Sequence, residues 1–143
     1  QGTVDVVVRG ADVMPTMALL DKVLAAVAPN APINDDWLVK GPVPVDSAIA
    51  GVIEYIEGDP DAIIAHAERR IRALFSETSP LSDVEALQIG QDLTLDLLTH
   101  AVMSIAGVKR VEWTSPSADV LVVPDDGVAR LTAINLRIVR AQA

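Results

Sequence analysis

The sequence predicts an α+β fold, helices packed on a small mixed β-sheet, in the rough order β-α-β-α-α-β-β. Three observations predict it. Short β-branched runs stand near both ends, VDVVVR at Val4–Arg9 and LTAINLRIV before the C-terminus. Between them, apolar residues recur at helical spacing, most clearly after Asp59. No internal repeat or low-complexity linker breaks the series.

Val4–Arg9 reads as a strand covered on both faces, closed by Gly10. Pro15 suits the first turn of a helix running to about Ala28, with Met17, Leu20, Leu24 and Val27 as its buried face. Pro29 and Pro32 stop that helix. Trp37–Lys40 is a short strand candidate. Val45–Glu57 satisfies two periods. Ile49, Val52, Ile53 and Ile56 fit a helix face, whereas Val43, Val45, Ser47, Ile49, Gly51, Ile53 and Tyr55 fit a strand face. Pro44 and the β-branched content decide for strand.

Asp59 is a good helix N-cap and Pro60 a good first residue. Ile63, Ile64, Ala67, Ile71, Leu74 and Phe75 form the stripe of that helix. Arg69, Arg70 and Arg72 sit toward its C-terminal end, where the helix dipole favours cations, and read as a solvated helix end. Ser76–Gly90 reads as a polar, irregular connection, with Ser82 and Glu85 at capping-box spacing. A third helix is expected over Leu93–Ala106, striped by Leu95, Leu98, Val102 and Ile105, with Gly107 as its C′ residue at positive φ. Val108–Trp113 and Val120–Val123 read as strands. Pro124-Asp125-Asp126-Gly127 reads as a turn. The final strand alternates Ile134, Leu136 and Ile138 with Asn135 and Arg137.

The chain has 143 residues, which predicts one domain over 1–143, and its 50% apolar content argues against disorder. A net charge of −9 disfavours sequence-independent nucleic-acid binding and anionic membrane surfaces as partners. With no cysteine there is no disulfide, thiolate metal site or Cys nucleophile. No apolar run approaches a membrane span, and no signal peptide is visible. The chain opens on Gln1, and strand-like sequence begins by Val4, which reads as a fragment cut from a longer polypeptide.

Reactive chemistry is sparse. His66 and His100 lie on separate helices with Asp61, Glu68 and Asp96 nearby in sequence, and both read as helix-surface or partly buried histidines. The acidic pairs do not follow calcium-loop spacing, and the glycines form neither a dinucleotide fingerprint nor a Walker loop. Neither a catalytic residue nor a cofactor is expected. Of four aromatics, Phe75 belongs to a helix stripe. Trp37 and Trp113 flank polar sequence and, with Arg69 and Arg72, are the candidate interface residues.

These segments, in order, resemble the C-terminal region of baseplate J-like proteins, from contractile-tailed phages and related injection machines. GTVDVVVRG resembles that family's Gly-Thr-Val opening. APINDDWLVKGPVPVDSAIAGVIEYIEG resembles its paired strands, and DPDAIIAHAERRIRALF the helix that follows. LTHAVMSIAGVKRVEWTSPSADVLV and LTAINLRIV are similar to its helix, Gly-Val turn and closing strands. The longer, acidic Ser76–Gly90 connection departs from the shorter, glycine-rich one common in that family. The resemblance implies a structural baseplate wedge component, acting through contacts to other tail baseplate proteins and to itself. It implies assembly in the host cytoplasm and residence in the virion tail baseplate. A ferredoxin-like, small-molecule-binding regulatory domain is the alternative that this layout could imitate, and an enzyme fragment is a third reading.

Overall fold

The computed structural model describes residues 3–10, 14–27 and 36–142, with the side chains of residues 3, 4 and 36–38 outside the description. It is an α+β fold. The elements are β1 (Thr3–Val7), α1 (Met17–Val27), β2 (Asp36–Lys40), β3 (Val43–Tyr55), α2 (Pro60–Leu74), β4 (Leu93–Thr94), α3 (Leu95–Met103), β5 (Val108–Ser115), β6 (Val120–Leu121) and β7 (Gly127–Arg140). The expected order is thereby corrected. Trp37–Lys40 and Val45–Glu57 both fall largely on strands, as read, so the abbreviated order lacks one strand between α1 and α2, and a two-residue strand precedes each of α3 and β7. The proline stops at 29 and 32 lie outside the described residues.

β3 is the centre of the main sheet, whose order is β5-β3-β7. It is a strand, as its β-branched content and Pro44 require, and Ser47, Ile49, Gly51 and Ile53 alternate into the core. β7 runs parallel to it from Val43↔Gly127 to Tyr55↔Arg140, and the register steps past Thr132 between Ser47 and Ala48. β5 runs antiparallel on the other side, from Ala50↔Ser115 to Tyr55↔Val108. It approaches so closely at Gly51 that a Cβ there would lie 2.6 Å from the Glu112 carbonyl oxygen.

Helices α2 and α3 supply the layer over this sheet. Asp59 caps α2 through its side chain to the Asp61 N–H, and Pro60 takes the first turn. Thr94 caps α3 by accepting from Leu97 N–H at 3.2 Å. Ile63, Ala67, Ile71 and Leu74 meet Leu98, Ala101, Val102 and Ile105 over Ile49, Ile53, Ala129 and Leu136. Each large aliphatic buried here contributes roughly 1.5–3 kcal/mol.

The Ser76–Gly90 connection is irregular, as expected, with a short turn at Ser82 and Asp83; its polar character is corrected, since Val84, Ala86 and Leu87 are buried within it. Leu87 N–H donates to the Leu74 carbonyl at 2.7 Å, which draws the segment back under α2. Leu87 is 1% exposed and belongs to the core cluster, so Leu87→Ala is expected to cost about 2–5 kcal/mol by thermal or chemical denaturation. A surface loop would lose about 0.5 kcal/mol or less.

β1, α1 and β2 form a separate unit. β1 and β2 pair in parallel, Thr3↔Asp36 to Val7↔Lys40. Among the described residues, the core cluster draws on Val45 to Ile138 and on none from this unit. Polar ties hold it to the rest. Arg9 donates to the Leu87 carbonyl at 2.8 Å and the Phe75 carbonyl at 2.5 Å, and Lys40, paired within the unit to Asp5 at 3.3 Å, reaches Asp126 at 3.1 Å. The expected buried face of α1 is overturned. Met17 is 71% and Leu24 44% exposed, and no α1 residue is buried. Periodicity predicts which face is apolar. It does not supply the layer that covers it.

Candidate interaction surface

The three arginines of α2 part company because successive helical residues point about 100° apart. Arg69 and Arg72 are exposed, and they line one shallow concavity with Glu68, Ala73, Ser76 and Pro80. Arg70 turns inward and is only 5% exposed, which corrects the reading of all three as a solvated helix end. Its Nε–H donates to the Ala101 carbonyl at 2.5 Å. The final turn of α3 leaves that carbonyl without a helical donor, because Ile105 N–H goes to Val102 instead. Arg70 Nη2 lies 2.9 Å from Asp83, an ion contact whose angle falls outside hydrogen-bond geometry. Position 70 continues the series 63, 67, 74 along the buried stripe, which is the signal that could have found it.

The remaining candidates lie elsewhere. Trp113 sits on β5, half-buried against the core, and its indole N–H donates to Thr99 Oγ1 on α3 at 2.9 Å. Trp37 pairs with Val4 through the β1–β2 ladder, and its side chain lies outside the described residues. The structure thus joins Arg69 to Arg72, and Trp113 does not line their concavity.

Partial burial, then the charges of Arg69 and Arg70, hold the His66 imidazole below its ordinary pKa. Asp83 is held below the usual carboxylate range chiefly by Arg70, with a smaller contribution from His100. His100, Asp83, Glu85 and Gln91 line a cleft between the connection and α3. Among the described residues no three His, Asp or Glu side chains gather where they could hold a metal ion. No described helix is long and apolar enough to cross a membrane.

The family model for the Baseplate J-like protein C-terminal domain matches residues 49–137. The chain belongs to that family. No curated protein matches it. The matched span runs from Ile49 of β3 to Arg137 of β7 and contains every buried member of the core cluster. The baseplate J-like fold is therefore the β5-β3-β7 sheet with its α2–α3 layer. The β1–α1–β2 unit precedes the match, so the resemblance read in GTVDVVVRG lies outside it. A baseplate J-like domain is a structural component of the phage tail baseplate, which places the protein in the virion tail.

Proposed function

We propose that this baseplate J-like domain acts in tail assembly through protein–protein contacts, with other baseplate proteins and with copies of itself, and without catalysis. In this reading the chain is the C-terminal part of a longer baseplate protein, assembled in the host cytoplasm of a contractile-tailed phage or prophage. The observation that carries it is the β1–α1–β2 unit. A parallel strand pair is ordinarily covered on both faces. Here the helix beside it buries no residue and presents Met17 and Leu24 to solvent. An apolar surface of that kind marks a contact to be made. In this reading α1 offers one apolar contact surface, and Arg69 and Arg72, which share a concavity that Trp113 does not line, offer a charged one.

The test is co-expression of the parent protein with the tail proteins encoded beside it, followed by purification and mass measurement. Firm association is expected to need the parent, since a stable contact takes roughly 1,200–2,000 Å² of total buried area. A parent that stays monomeric beside every one of those proteins sinks the reading.

A further inference from the structure

We infer that the outer edge of β7, over Ala133–Arg140, takes an extended acidic segment of a partner protein as a fourth strand. The inference rests on the protein–protein reading above and names a surface and a chemistry for it. β7 closes the sheet order β5-β3-β7, and no described strand pairs with its outer side. Beyond the step at Thr132 its register is unbroken, from Ala133↔Ala48 to Arg140↔Tyr55. Ala133, Asn135, Arg137, Val139 and Arg140 are exposed along it. Natural edges are usually short, bulged, proline-blocked or covered. This stretch has no proline and no bulge.

Charge selects the occupant. The chain carries −9, yet β7 contains Arg130, Arg137 and Arg140 and no acidic residue. Arg130 is engaged by Asp46 at 2.7 Å. At the far end of the sheet Arg110 is engaged by Glu54 at 3.0 Å and Glu112 at 3.2 Å. Arg137, Arg140 and Lys109 have no ion partner among the described residues. Lys109 and Arg140 flank a concavity with Ile56, which is 56% exposed. Antiparallel pairing of β7 with a second β7 would set arginine among arginine, and like charges across a ladder are destabilising. Ile56 and Lys109 lie on the inner side, just past β3 and on β5, so a strand bearing carboxylates answers Arg137 and Arg140 at this edge.

The experiment uses the full 143-residue chain, labelled for amide NMR. It is titrated with peptides of about ten residues alternating Glu with Thr, or Lys with Thr. The acidic peptide is expected to shift and protect the amides of Ala133–Arg140, more weakly as salt rises. Arg137→Glu with Arg140→Glu, both at exposed sites, is expected to weaken it by about tenfold or more and to admit the basic peptide. A proline at alternate positions of the acidic peptide is expected to abolish the protection. Equal binding of both peptides, shifts confined to other elements, or equal affinity for an oligothymidylate overturns the inference. So does self-association through β7 without peptide. None of these outcomes touches the co-purification result, so the two readings fail separately.

Discussion

Gly107→Ala is expected to lower stability by about 3 kcal/mol or more, since among the described glycines an added Cβ meets its closest contact here. Gly107 has φ of +90°, where a Cβ is strained. A Cβ there would also overlap the carbonyl oxygen of Glu57, which belongs to backbone and cannot swing aside. The two segments are locked at this point, because Ile56 N–H donates to the Gly107 carbonyl at 2.7 Å. The expected C′ role is corrected in one respect. The C-cap of α3 is Ser104, so Gly107 shapes the turn into β5 rather than ending the helix. Gly58→Ala is the control. Its φ is +106°, but the added Cβ would meet only the Ile63 side chain at 3.4 Å. It is expected to cost about 1 kcal/mol. Denaturant midpoints for the pair separate backbone strain from the clash, and equal losses would show that Glu57 yields freely.

Arg70→Ala is expected to cost about 3 kcal/mol or more, and Arg70→Met about 2 kcal/mol. Both leave the Ala101 carbonyl without its donor, and Ala also opens space between α2 and α3. Met keeps most of the stem's packing, so the difference between the two variants measures packing and the remainder measures the lost bond. Asp83 adds a pH dependence. Its native carboxyl titrates below the ordinary 3.8 because Arg70 stands beside it. The unfolded chain therefore binds that proton first. This contribution is complete above about pH 5 and is lost as pH falls through the ordinary value toward the lowered native one. Arg70→Met should remove that part of the acid slope. An unchanged slope would mean that Asp83 is free of Arg70 in solution.

What the sequence determined alone was set by near neighbours. Asp59-Pro60 starts α2 because a cap and a fixed φ act within one turn. Pro124–Gly127 turns because Gly127 N–H reaches back to the Pro124 carbonyl. The alternation of β7 shows as buried Leu136 between exposed Asn135 and Arg137. The ordered motifs were enough to suggest the family, since order and spacing survive where single motifs do not specify. Tertiary structure decided everything that depends on what lies across a gap. Arg70 is buried because an orphan carbonyl of α3 and Asp83 meet it there, and nothing within four residues of position 70 supplies either. Leu87 enters the core because Leu74 offers a carbonyl to its backbone. Met17 and Leu24 stay exposed because no described layer covers α1, and β7 stands as an edge because β3 takes only its inner side. Local spacing fixes which face of an element is apolar or charged. Only the folded chain sets which faces meet, because desolvation and pairing are properties of both partners.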